Sequence, residues 1–336
     1  MEGSRQPVSN TRELIRQAVL APSSHNTQPW IFRVSEAAID VCADRSRALP
    51  VNDPDDRELV ISCGCALMNI RVAAARHGLR AKVKLLPERE RPERLARVVL
   101  GAESGASAPE GVLAEFVERR RTYRKAFSSG RADPGTLDEL IEAARVEGAS
   151  LFPLSTEEAK RQAARLVAEG DAAQWANPRW RRELAAWMRS PRCGDGLNVS
   201  ALAAPVAKLV VRTFDMSRFV GAQDRQLAAG SPTLAALCTE GDARHDWVQA
   251  GQALQRVLLV ACRRGLQASY LNQPIQVARV RHKLQELVGK GWPQILLRVG
   301  RPLEAIPDVP RRPADDVIVE DRTGREGPGR EGVRVA

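Results

Sequence analysis

"CGCALMNIRVAAARHGLRA" (residues 63–81) and "AGQALQRVLLVACRRGLQA" (residues 250–268) align without a gap. Gly64 falls on Gly251, Ala66 on Ala253, Leu67 on Leu254 and Ala74 on Ala261. Arg76 then falls on Arg263, Gly78 on Gly265, Leu79 on Leu266 and Ala81 on Ala268. Each copy carries apolar residues at helical spacing and a glycine near its end, where a left-handed C-terminal cap is favoured. Both are apolar nearly all round, which predicts two buried helices.

The pieces around them recur in the same order. "RELIRQAV" (12–19) and "DELIEAAR" (138–145) read as amphipathic helices, and "LARVVLG" (95–101) and "QILLRVG" (294–300) as buried strands ending in Gly. Asn10 and Glu13 have the spacing of a capping box, which predicts that the first helix opens there. The simplest reading is an α+β unit present twice in one chain, the halves arranged as an intramolecular pseudo-dimer about a pseudo-twofold axis. "GAESGASAP" (101–109) is the expected linker. The expected domains are a first half over 1–108, a second half over 109–320, and a Gly- and charge-rich disordered tail over 321–336.

Composition narrows the function. The chain has 336 residues, 43% hydrophobic and 27% charged, a globular profile. No run of about 18 apolar residues exists and no signal peptide is visible, so the expectation is a cytoplasmic protein with no membrane partner. Cys63 and Cys65 flank Gly64 and point to different helix faces, and the four histidines are scattered; both argue against a metal site. The net charge of +10 would suit nucleic acid, acidic lipid or a phosphate ligand. Aromatics are only 4% and do not interleave with the basic runs, which argues against nucleic acid.

The halves differ in what they carry. Only the first has "PSSHNTQPW" (22–30), a kinked polar loop whose hydroxyls, amides and turn-held backbone donors could meet the polar edge of a planar heterocycle. Only the second has "ERRRTYRKAF" (118–127), whose guanidinium groups suit phosphate. Read alone, each could equally be solvated surface.

Together these residues resemble the nitroreductase-like flavoproteins, and more closely their fused, single-chain Acg-type branch. There an R-R-S-x-R segment grips the FMN phosphate, and a P-S-x-x-N-x-Q-P-W segment from the other subunit lines the isoalloxazine. Arg120, Arg121, Thr122 and Arg124 match the first, with Thr for Ser, and Pro22, Ser23, Ser24, Asn26 and Gln28 match the second. "DRSRALPVNDPDDREL" (44–59) and "VPRRP" (309–313) extend the resemblance to about residue 320. It implies one composite FMN site, with Arg311 and Arg312 as late phosphate ligands and Asn272 and Gln273 near the reactive edge. It also implies a lid over about 156–233, containing Trp175, Trp180 and Trp187. The implied activity is hydride transfer from NAD(P)H to a nitroaromatic or quinone-like acceptor, carried by the flavin with no catalytic side chain. The alternative is a flavin-sequestering protein with little turnover behind a closed lid. An internal pair implies a monomer or a weak homodimer.

Overall fold

The computed structural model describes residues 6–36, 38–102, 109–130, 132–200 and 203–320. Most of the expected linker and the whole tail over 321–336 lie outside the described residues. The chain opens with α1 (Gln6–Ala18), β1 (Trp30–Val34), β2 (Ala38–Ala43), α2 (Arg57–Arg76), β3 (Leu79–Leu85) and β4 (Arg94–Ala102). The order helix, strand, strand, helix, strand, strand then returns in α3 (Pro134–Arg145), β5 (Ser150–Pro153), β8 (Thr233–Thr239), α8 (Arg244–Arg263), β9 (Gln267–Tyr270) and β10 (Trp292–Gly300).

Between β5 and β8 lie α4 (Glu157–Ala176), α5 (Pro178–Trp187), α6 (Ala204–Thr213) and α7 (Ser217–Ala229), with two short paired strands, β6 (Met188–Arg189) and β7 (Leu197–Asn198). The four-residue α9 (Gln273–Gln276) and α10 (Ala278–Val288) separate β9 from β10. One sheet has the order β11-β1-β2-β4-β3 and the other β5-β8-β10-β9, where β11 is Ile318–Glu320. Without β11, the strand orders correspond one to one and every neighbouring pair in both is antiparallel. β11 crosses back to pair parallel with β1, Phe32 opposite Ile318.

The two repeat helices pack on each other at the centre, and the aligned glycines make the contact. A Cβ on Gly251 would stand 2.1 Å from the Ile61 carbonyl and 2.7 Å from Gly64 Cα; one on Gly64 would stand 2.5 Å from the Val248 carbonyl. Only glycine lets the two backbones approach so closely. Gly78 (φ +66°) and Gly265 (φ +71°) follow the helix ends in the left-handed region, as the sequence predicts. α2 is buried along nearly its whole length because α8 takes one side and the first sheet the other. By length and composition α2 could cross a membrane (mean hydropathy 1.5), which corrects the reading that no such run exists; 94% of that window is buried within the protein.

The two sheets are covered differently, and their strands show it. β3 alternates half-buried and exposed residues, the pattern of a strand with one wet face. β10 is buried at every position after Trp292, because α3 and α8 cover one face and a second apolar cluster, built with α4, α9 and α10, covers the other. A further correction concerns α1, which begins at Gln6, so Asn10 lies inside the helix and is not its N-cap. Proline at the second position is tolerated because a first turn has no acceptor for its missing N–H.

Candidate active site

A cavity of about 380 Å³ opens between the two sheet-and-helix layers and the helices inserted between β5 and β8. Its wall is drawn from segments far apart in sequence: the loop after α1, the start of α2, the basic segment 120–124, the β9–α9 junction, and α4, α5 and α7.

The loop after α1 is held in an uncommon conformation. His25, Asn26 and Gln28 have φ of 49°, 54° and 52°, left-handed values that non-glycine residues hold only when their surroundings fix them. Gln28 N–H donates to Ser23 Oγ (2.9 Å), and Gln28 Nε2 donates to the Gly194 carbonyl (2.8 Å). Asn26 Nδ2 donates to the carbonyls of Gly196 and Pro310, each at 3.3 Å. Pro22, Ser23, Ser24, His25 and Asn26 line the cavity. Burial pushes the His25 imidazole down to about 4, against the opposing pull of Glu58, so His25 is neutral at pH 7.

Glu58, in the first turn of α2, organises the rim. Its carboxylate accepts from Ser24 Oγ (2.5 Å), Gln276 Nε2 (2.9 and 3.0 Å) and Asn272 Nδ2 (3.3 Å), and from the adjacent Arg57 (3.3 Å). Asn272 also accepts the Leu296 N–H through Oδ1 (3.1 Å), which fixes the β9–α9 turn against β10. One buried carboxylate thus joins the loop after α1 to the β9–α9 junction.

At another part of the wall, positive charge accumulates with little to balance it. Arg120 is 3% exposed; its Nη2 donates to the Leu20 carbonyl (3.2 Å), while Nε and Nη1 have no partner. Arg311 donates from Nη1 to the Val309 and Pro310 carbonyls (3.3 and 3.2 Å), and its Nε has no partner. Burial, then the charges of Arg120 and Arg121, push Arg311 down to about 9. Arg121 pairs with the exposed Asp308. Thr122 and Arg124 also line the cavity, and Tyr270, pushed up to about 12 mainly by burial, stands beside them. A cluster of guanidinium groups with unused donors in a concave wall is the electrostatic complement of a phosphate.

Gln28 and Arg312 do not line the cavity. They bind each other instead: Arg312 N–H donates to Gln28 Oε1 (2.9 Å) and Arg312 Nη1 to the Gln28 carbonyl (3.2 Å), which ties the 309–313 segment to the loop. Asn272 and Gln273 do line it, as do Arg120, Arg121, Thr122, Arg124 and Arg311. Sequence reasoning missed Glu58, His25, Tyr270 and Arg298 on this wall, and Asp171 and Asp224 on the inserted helices. Glu58 lay within the quoted 44–59 stretch; the two aspartates carried no motif.

The inserted helices roof the cavity. Trp175 and Trp180 face it edge to face, 5.4 Å between ring centroids, and Trp180 Nε1 donates to Asn52 Oδ1 (2.8 Å). Trp187 does not line it but lies under Arg47 and Arg189. Glu183 of α5 accepts the N–H groups of Val51 and Asn52 (2.9 and 2.8 Å), and Arg47 forms a buried ion pair with Asp195.

No family model matches the chain. A Mycobacterium tuberculosis protein named "Putative NAD(P)H nitroreductase" is 33% identical over 317 residues, covering 91% of this chain and 90% of its own length. A second from the same organism, "Putative NAD(P)H nitroreductase acg", is 25% identical, covering 92% and 96%. Among solved structures, an FMN- and NADPH-dependent nitroreductase from a Sphigopyxis strain covers 62% of this chain and 97% of its own, at 20% identity and TM-score 0.41. Iodotyrosine deiodinase bound to FMN and 3-iodo-L-tyrosine covers 60% and 95%, at 17% identity and TM-score 0.41.

The chain is a mixed α+β protein that aligns with a nitroreductase-named relative along about nine-tenths of its length. It belongs to the nitroreductase-like family, in the Acg-type branch of these mycobacterial relatives.

Proposed function

We propose that the cavity holds one FMN per chain and that the protein passes hydride from NAD(P)H to a nitroaromatic or quinone-like acceptor. The observation that carries the reading is Arg120: a guanidinium 3% exposed, with two N–H-bearing nitrogens and no acceptor for either, beside Arg311. A buried cation without a counter-charge is strongly unfavourable unless a ligand supplies one. The residues present fit the group. Arg120, Arg121, Arg124 and Arg311 would bind the phosphate, with Thr122 adding a hydroxyl, while Ser24, Asn26, Asn272 and Gln273 would flank the ring. When bound, the flavin supplies hydride acceptance and donation. Glu58 holds the rim side chains in fixed orientation, and Trp175 and Trp180 exclude water from above.

The same reading makes the chain two copies of one unit, covering 1–108 and 109–320, the second carrying the lid. The matching strand orders and the contact of Gly64 with Gly251 support it. Each half then contributes one part of a single composite site. Denaturing the purified protein and measuring released flavin by absorbance tests this: one equivalent is expected, and two at saturation refute it. A colourless protein that takes up no added FMN refutes the flavin reading itself.

One observation favours the sequestering alternative. The roof is fastened to the first half by Glu183, Trp180 and the Arg47–Asp195 pair, as well as by Gln28 and Asn26 on residues 194–196. Steady-state NADPH oxidation with a nitroaromatic acceptor separates the two. Turnover that appears only in Asp195→Asn places this protein in the sequestering class.

A further inference from the structure

One wall of the cavity carries more buried acceptors than donors: Asp171 and Asp224 share the single amide of Gln273, with Arg298 acting on Asp224. Asp171 and Trp175 are four residues apart on α4 and Gln174 lies between them, so all three share one face, and that face lines the cavity. Asp171 is 2% exposed, yet its Oδ2 has no hydrogen-bond partner. Asp224, from α7, stands close enough to raise the Asp171 carboxyl further after burial has done so. Gln273 Nε2 donates to Asp224 Oδ2 (2.7 Å), leaving its Oε1 buried and without a partner. Arg298 acts on Asp224 from β10, but no ion pair within 4 Å reaches either aspartate among the described residues. Gly221 of α7 faces Asp171 across the helix contact, its would-be Cβ 3.5 Å from Asp171 Cβ. The two indole rings of Trp175 and Trp180 stand on the same wall.

Two carboxylates, an unused amide oxygen and two tryptophans in one recess require a complement that is positively charged, rich in N–H donors and flat. Carboxylate oxygens accept from it, and indole faces attract a cation. We propose that this recess is a binding site for the protonated nitrogen head group of an aromatic substrate, such as an amidinium or a benzylic ammonium. It deepens the oxidoreductase reading above, on which it rests for the idea that a substrate enters this cavity, by assigning that substrate a cationic end held away from the phosphate-binding arginines. The two ends of the cavity thereby divide the labour: guanidinium groups for an anion at one, carboxylates for a cation at the other.

The test uses the full protein, as purified and after flavin removal, with benzamidine and its neutral near-isostere benzamide as probes in calorimetric titrations. Benzamidine is expected to bind at least about tenfold tighter than benzamide, the usual span of a charge-assisted hydrogen bond to a buried carboxylate. Asp171→Asn should abolish that preference while leaving benzamide binding unchanged. Equal affinities for the two probes in the wild type overturn the inference, without recourse to any variant. So does a preference that survives in folded Asp171→Asn. FMN content, read from the visible spectrum of the same samples, separates this outcome from the flavin reading. A flavin-free protein that still prefers benzamidine keeps the cation recess and loses the flavin; a flavin-loaded protein without the preference does the reverse.

Discussion

Arg311→Gln should stabilise the ligand-free protein and weaken the ligand-bound one. Arg311 is brought down to about 9 by burial and by Arg120, Arg121 and Arg124 around it. A base whose folded pKa is depressed binds its proton less well in the fold than in the unfolded chain, so its charge destabilises the fold. Below pH 9 the residue is protonated in both states, so the penalty is constant across neutral pH; it fades only as pH rises through the alkaline window above 9. About three and a half units correspond to an upper limit of about 5 kcal/mol. Solvent in the cavity screens this, leaving on the order of 1–3 kcal/mol. Against it stand two long hydrogen bonds to the Val309 and Pro310 carbonyls, each contributing about 1 kcal/mol or less, which glutamine partly replaces. The net expectation is a stabilisation of about 1–2 kcal/mol, or a few degrees in Tm for a chain of this size. With FMN present the sign reverses, because a charge-assisted phosphate contact is lost, roughly 1.5–3 kcal/mol or at least about tenfold in Kd. Thermal melts of the apo protein at low salt, with FMN titrations of both proteins, check the pair of signs. An apo variant less stable than wild type, or an unchanged FMN affinity, refutes the claim that this cluster is an unsatisfied phosphate site.

Asp171→Asn should flatten part of the pH dependence of apo stability. Burial and then Asp224 raise the Asp171 carboxyl to about 7, so the fold binds its proton more tightly than the unfolded chain and loses stability as pH rises from about 4 through 7. The variant should therefore melt higher than wild type at pH 8 and the same at pH 4.5; equal melting at both pH values would show that the recess is well solvated. Gly251→Val should destabilise the fold by about 2–4 kcal/mol in urea titrations, because its Cβ meets only backbone atoms of α2; a change under about 0.5 kcal/mol would mean that the helices part easily. Ser24→Ala frees one acceptor position on Glu58 and should shift the flavin spectrum or potential, whereas Asn26→Ala also removes bonds to Gly196 and Pro310 and should loosen the roof, read as faster hydrogen exchange over 188–198. Identical exchange there in Asn26→Ala and wild type would remove Asn26 from the latch.

What could be read in advance was whatever local periodicity or a dense motif encodes. The helices around Gly64 and Gly251 announced themselves by apolar spacing and terminal glycines, and the strands at 95–101 and 294–300 by short apolar runs. Arg120 and Arg121 stood out because basic side chains crowd a short segment ahead of a helix, a pattern that suits phosphate. Asp171 and Asp224 were invisible for the opposite reason. Each is one acidic residue on an ordinary amphipathic helix, and only the docking of α7 on α4 over the cavity brings them together. Gln28 and Arg312 illustrate what a motif does not spell out: these two positions bond each other and hold two loops together. The start of α1 was misjudged because a capping pattern at Asn10 is compatible with the middle of a helix when neighbouring turns supply the hydrogen bonds.

The pairing of β11 with β1 sets an order of assembly. Residues 309–320 bring Arg311 to the cavity and close the open edge of the first sheet, yet they are synthesised more than two hundred positions after β1. During translation the first half emerges with Trp30–Val34 as an unprotected edge, the kind of surface that pairs with other chains. The cavity wall likewise lacks Arg311 until the same late segment docks. Completion of that wall and protection of the nascent sheet are therefore one event, and a chain truncated before residue 309 has neither.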